Sequence, residues 1–401
     1  MAKKAYIGVD GVAQNVKKIY IGVDGVARKV KKAYIGVNGV ARLFYMGQEI
    51  GTITVSPTSV TLTGSGKTTT ATITYVGNGK ITAATSSSSV ATATVSGNTV
   101  TVTSKGTGSA TITITIAMTD DYTSATCSLA VTVKPGINYT GTYSSKSVTV
   151  SGKAHTLYTL TSSGTLTLDT SSQVWLCGGG AGGYGSVTKS SGAGGGGGYV
   201  ASGTLAAGKH TVTIGTGGNS SAAGTQTTVG TLSADGGKTA TTYDSSRTYR
   251  TTGGVGGSGG GNGVCSISGT SFSIGKAGTG EGTSTYPFGL TSLYAHCAGG
   301  GGGSFYSGST GSYSSGVRGG DGGSNGSTPN ASSSSNNATA GGTGGERGGG
   351  NGGKGYSTAT AGEAATFYGS GGGGAGRTVS NSNTYAGGAG YQGVVYVLVP
   401  A

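Results

Sequence analysis

Charge is scarce in this chain. Only 9% of its 401 residues are Asp, Glu, Lys or Arg, although the imbalance among them leaves a net charge of +13. Proline occurs 5 times and tryptophan once. The abundance of glycine therefore does not indicate collagen, which needs Gly at every third position together with frequent proline. No apolar run approaches the roughly 18 residues of a membrane-spanning helix, so no membrane partner is expected. The segment Met1-Ala2-Lys3-Lys4 leads into no signal-peptide-like apolar stretch, which predicts a protein made in the cytoplasm without an export route.

Chemistry is equally thin. Three histidines, His155, His210 and His296, stand in no recognisable nucleophile–base frame. The acidic residues of region 136–401, among them Asp169, Asp235, Glu281 and Glu363, are scattered between glycines rather than paired for glycoside hydrolysis. Cys127, Cys177, Cys265 and Cys297 contain no Cys-x-x-Cys pair, so buried free thiols are expected in place of a zinc site or a disulfide framework. Gly64-Ser65-Gly66-Lys67-Thr68 imitates the end of a phosphate loop, but Thr61 stands where that loop requires its first glycine. The expectation is a protein with no catalytic residues, no metal and no cofactor.

What the chain does contain falls into three regions. Residues 1–50 repeat with a period of fourteen: Tyr6-Ile7-Gly8-Val9, Tyr20-Ile21-Gly22-Val23 and Tyr34-Ile35-Gly36-Val37 are each preceded by a Lys-Lys pair, with one residue between. Asp10-Gly11, Asp24-Gly25 and Asn38-Gly39 follow, each succeeded by Val-Ala. Such dipeptides suit a two-residue type I′ turn, so each repeat reads as a β-hairpin with Val9 opposite Val12 and its equivalents likewise paired. One hairpin cannot stand alone in water, and repetition points to attachment or oligomerisation. Lysines at hairpin edges discourage stray strand pairing, and no nucleic-acid partner is expected.

Residues 51–135 alternate Val, Ile or Leu with Thr or Ser, as in Thr70 to Tyr75, Val90 to Val95, Ile112 to Ile116 and Leu129 to Val133. Turn signals at Gly77-Asn78-Gly79, Gly97-Asn98 and Lys105-Gly106 interrupt them, the pattern of a small β-sandwich. Residues 136–401 hold most of the 88 glycines, in tracts such as Gly194 to Gly198, Gly299 to Gly303 and Gly371 to Gly374. Composition alone would suggest a flexible linker. The apolar strands around the tracts, Val174-Trp175-Leu176-Cys177 and Val394 to Val399, predict instead an ordered frame. Inside it, polyglycine II helices have no internal hydrogen bonds and must bond one another. The predicted fold class is thus all-β, with hairpin repeats, a β-sandwich and a β-framed domain of packed polyglycine II helices.

The 14-residue repeat resembles segments at the start of proteins encoded by phages and prophages of Firmicutes. Val90 to Thr103 and Lys105 to Thr113 resemble the bacterial Ig-like group 2 domain. The stretch Val174 to Gly183, with Gly194 to Val200 and Gly387 to Val395, is similar to the glycine-rich domain of phage tail-fibre tips and to the glycine-rich module of anaplastic lymphoma kinase receptors. These resemblances imply a non-enzymatic virion protein, a tail fibre or receptor-binding protein. Residues 1–50 would join other virion proteins, a homotrimer being favoured. The loops between glycine helices would meet a host cell-surface glycan or protein. The implied localisation is the virion exterior, with release by lysis; a structural virion component and a bacterial surface adhesin are the rival readings. Aromatic and basic loop residues are the candidate contacts: Tyr243, Arg247, Tyr249, Arg250, Tyr286, Phe288, Tyr306, Tyr313, Arg377 and Tyr385.

Overall fold

A computed structural model describes the chain except residues 1–4, 10–11, 17–18, 31, 188–189, 246–247, 269–270, 307–315, 330–339, 357 and 379–382; some strand residues are described by their backbone alone. The fold is all-β. Among the described residues the only helical elements are two 3-10 turns, Pro287–Gly289 and Thr291–Leu293. The chain divides into two compact units, Met1–Gly136 and Ile137–Ala401.

The first unit begins with three separate two-stranded hairpins. Their register places Val9 opposite Val12, Val23 opposite Val26 and Val37 opposite Val40. Asp24 and Gly25 have φ of 50° and 76°, Asn38 and Gly39 of 53° and 80°, the positive values a type I′ turn demands. Beyond the hairpins, two four-stranded sheets face each other. One orders the strands Ile81–Thr85, Gly108–Ile116, Ala125–Lys134 and Ser59–Thr63; the other Ala91–Ser96, Thr99–Ser104, Thr68–Val76 and Thr52–Ser56. Alternation sends Ile112, Ile114, Leu129 and Val131 from one sheet, and Ile53, Ile73, Val100 and Val102 from the other, into a shared core. Gly64-Ser65-Gly66 is a turn in this sandwich, held by Ser104 Oγ donating to the Gly64 carbonyl at 2.7 Å.

The second unit has a side-chain core of its own between two five-stranded sheets. The C-terminal strand Val394–Pro400 lies at the centre of one, paired with Lys153–Leu160 on one side and Ser172–Cys177 on the other. Leu166, Leu168, Val212 and Val229 of the opposite sheet pack against its Leu160, Val174, Leu176, Val395 and Val397.

The glycine tracts extend from this frame as a lattice of backbone hydrogen bonds with a period of three. Gly178, Ala181 and Tyr184 donate to the carbonyls of Tyr199, Gly196 and Ala193; Gly179 and Gly182 donate to Thr225 and Ala222; Gly180 and Gly183 donate to Tyr391 and Gly388. Each third residue turns to the same neighbour, which is the threefold repeat of a polyglycine II helix. The segment Gly371–Arg377 is enclosed on all sides. It donates to 298–304, 181–184 and 360–363, and it accepts from 350–353, 192–195 and 388. Only glycine permits this spacing: a Cβ on Gly300 would lie 2.0 Å from the Gly372 carbonyl oxygen. Ordering glycine costs more conformational entropy than ordering any other residue, and here the fixed residues gain bonds to neighbouring segments out of water.

Candidate functional site

The five-stranded sheet containing Val394–Pro400 has a second face. Alternation along Ser172–Cys177 turns Val174 and Leu176 toward the core between the sheets, and Trp175 and Cys177 toward this opposite face, where Leu157, Tyr396 and Leu398 join them. A strap, residues 284–297, crosses that face. Its 3-10 turns bury Pro287 and Leu293, and Leu293 packs in the same cluster as Trp175.

Several bonds fix the strap. Asn325 Oδ1 accepts from the Thr285 amide at 3.0 Å and from Ser284 Oγ at 3.2 Å. His296 is fully buried, its Nε2 2.9 Å from Tyr396 Oη and its Nδ1 3.1 Å from the Tyr294 carbonyl. Trp175, Phe367, Tyr368 and Tyr396 surround the imidazole, and this desolvation pulls its pKa down to about 4, against the raising effect of the Tyr294 carbonyl. Burial likewise pushes the Tyr396 phenol far up. The site's centre is therefore neutral near pH 7.

Between the strap and the strand Val200–Leu205 lies an open cleft of about 430 Å³. Trp175, Tyr286 and Phe288 give it aromatic surface. Gln173, Ser202, Thr204 and Ser284 bring one amide and three hydroxyls, all on exposed residues. None of the described residues lining it carries a charged side chain. Phe288 is held at φ 53°, ψ 22°, the left-handed region that a bulky residue rarely enters. Pro287, buried before it, and Gly289, at φ 69° after it, keep the turn in that shape, so strain is spent on aiming one aromatic ring. The cleft can take a small uncharged molecule with an apolar face and a hydroxylated rim. Nearby on the strap, Tyr294 is 45% exposed and carries the Arg347 guanidinium 3.4 Å above its ring centroid.

Of the sequence-predicted contact residues whose side chains are described, Tyr286 and Phe288 come together here. Tyr306 and Arg377 need correction. Tyr306 is 3% exposed and packs edge-on against Tyr356, and Arg377 is 5% exposed with Nη1 donating to the Asn383 carbonyl. Both sit in the small sheet formed by Phe305–Tyr306, Gly316–Val317 and Arg377–Thr378, so neither is available to an outside target. The segment around Tyr243 is a hairpin, Thr241–Ser245 with Thr248–Thr252. Tyr243, Tyr249 and Arg250 lie on its strands, described by backbone only. Arg247 and Tyr313 lie outside the described residues. Tyr385 is half-buried, its backbone exchanging bonds with Ser186, away from the cleft lining.

Sequence reasoning passed over Gln173, Trp175, Ser202, Thr204 and Ser284 as contacts. The alternation that puts Gln173 and Trp175 on one face was readable; that a strap covers this face only in part was not. No protein-family model matches the chain, and no curated protein sequence is similar to it.

Proposed function

We propose that the protein is a phage or prophage virion adhesin, in which the glycine lattice is a rigid tip and the cleft beside Phe288 takes a neutral sugar unit of a host cell-surface glycan. The observation that carries this reading is the cleft itself: aromatic rings with hydroxyls and an amide, no charge among the described lining residues, on a strap held by the bonds of Thr285 and His296. Aromatic faces stack on the C–H faces of sugars while hydroxyls and amides take up their hydroxyl groups. The resemblance of the repeats and the glycine-rich half to phage-encoded segments supports the virion setting. No reaction is assigned to the cleft, because it brings together no nucleophile and base.

Residues 1–50 serve attachment to other virion proteins or to further copies, a homotrimer being the favoured assembly. Their hairpins leave Tyr20, Ile21, Val26, Tyr34, Ile35 and Val40 more than half exposed, although such side chains normally seek cover. The same observation favours the second reading, a structural virion component whose contacts are all between subunits.

The test is saturable binding of the labelled protein to isolated Gram-positive cell walls. The adhesin reading expects saturation in at least one wall type and a loss of about tenfold or more in Phe288→Gly, a variant that removes the ring and relieves the backbone. Assembly into polymers without wall binding would favour the structural reading.

A further inference from the structure

Two thiols meet where three glycine segments begin. Cys177 ends the strand Ser172–Cys177 and opens the tract from Gly178; Cys297 opens the tract 298–303; Gly369 stands just before the tract from Gly371. A Cβ on Gly369 would lie 2.6 Å from Cys297 Sγ and 2.9 Å from Cys177 Sγ, so the sulfurs are separated by no more than the sum of those distances. Gly369 has φ 70° and lacks a side chain, and that leaves the sulfurs their shared space. Both cysteines are fully buried in one cluster with Trp175, Leu293 and Tyr396.

The backbones around them are fixed. The Cys297 amide donates to the Tyr368 carbonyl at 3.2 Å, and the Gly198 amide to the Gly369 carbonyl at 2.7 Å. Cys177 is paired with Val200 on one side and Val394 on the other. The other two cysteines differ: Cys127 belongs to the first unit, and Cys265 lies in the hairpin Val264–Ser268 with Ser271–Ile274, opposite Ser273.

We propose that Cys177 and Cys297 form a disulfide site that staples the sheet to the glycine lattice when the protein meets an oxidising small-molecule disulfide. One thiolate attacks the oxidant, releasing a first small thiol and leaving a mixed disulfide. The second thiolate attacks the protein sulfur of that intermediate, releasing a second small thiol. The protein gives up two protons and two electrons, and the oxidant's S–S bond is replaced by one between Cys177 and Cys297. Burial holds the Cys297 thiol well above its ordinary pKa, so exchange takes place while the segments are open, during folding or a local opening. Once closed, the bond is out of reach of reductants.

The staple has unusual leverage here. A cross-link acts chiefly by restricting the unfolded chain, and it closes a loop of about 120 residues. Much of that loop is glycine, the residue with the most freedom to lose.

The full-length protein treated with oxidised glutathione, alkylated under denaturing conditions and digested with trypsin without reduction tests this. Each cysteine falls in its own tryptic peptide, Cys177 in 154–189 and Cys297 in 277–318. The expected product is those two peptides joined, with a melting temperature about 10 °C above that of the reduced protein. Cys177→Ser and Cys297→Ser should each abolish the linked species and the gain. Recovery of both peptides alkylated, or linked to the peptides of Cys127 or Cys265, overturns the proposal. The wild-type peptide map decides the matter even if a serine variant does not fold.

Discussion

The β-sandwich and the glycine lattice solve the same problem with opposite materials. In the sandwich, alternation along strands such as Gly108–Ile116 sends Ile112, Ile114 and Ile116 inward, and stability comes from apolar side chains removed from water. In the lattice there are almost no side chains to bury. Backbone amides and carbonyls of Gly178 to Gly183, Gly299 to Gly303 and Gly371 to Gly376 find partners in neighbouring segments instead. A side-chain core tolerates changes of shape better than changes of volume, because neighbours can repack. A backbone core has nothing that can repack. The difference predicts which substitutions each region survives.

The largest effect should follow Gly300→Ala. Its Cβ would stand 2.0 Å from the Gly372 carbonyl oxygen, and relief requires separating two bonded segments, a cost of about 4 kcal/mol or more. Thermal unfolding should show the loss in residues 137–401, read by near-ultraviolet signals from Trp175. A native-like melt would show that the lattice can repack after all. Next is Ile112→Ala in the sandwich, where a fully buried side chain leaves a cavity; about 3 kcal/mol is expected in denaturant unfolding of the first unit.

A comparable effect should come from acid. Well above pH 6.5 His296 is neutral whether folded or unfolded. As pH falls from 6.5 toward about 4, the unfolded chain takes up a proton that the folded site refuses, and stability drops by roughly 3 kcal/mol. Melting temperature against pH should therefore fall less steeply over that range in His296→Gln than in the wild type; identical slopes would remove His296 from the account. The smallest effect is Gly36→Ala. No atom stands within 4 Å of its added methyl, so stability should stay within about 0.5 kcal/mol, setting a hairpin glycine apart from a lattice glycine.

These regions were also unequally legible in the sequence. Asp24-Gly25 and Asn38-Gly39 fix their turns by local chemistry, and the register of each hairpin follows from them. The long sandwich strands announce themselves by alternation. The pair Tyr143–Val150 and Lys153–Leu160 was missed although Ser151-Gly152 is a turn signal, because Ser144-Ser145-Lys146-Ser147 breaks the apolar alternation. In the lattice, the tracts and their need for partners were readable, but the partners were not. A glycine carries no side chain to mark which neighbour it faces, so nothing in Gly371 to Gly374 specifies 298–304 over another tract.

The site was legible only in part for a related reason. Tyr286 and Phe288 stood out as aromatic residues among small polar ones, but the same signal promoted Tyr306, which is buried. Aromatic rings both cap and recognise, and only the fold separates the two uses. The strap looked like an exposed loop; Pro287, Leu293 and His296 instead anchor it across a sheet face whose apolar character depends on strands far away in sequence.

Amide hydrogen exchange across the glycine tracts tests the central claim most directly. If the tracts are mutually bonded, the amides of Gly180, Gly195, Gly300 and Gly372 should exchange as slowly as those of the central strand Val394–Pro400. Exchange at the rate of an unfolded chain in the tracts, beside protected strands, would contradict it.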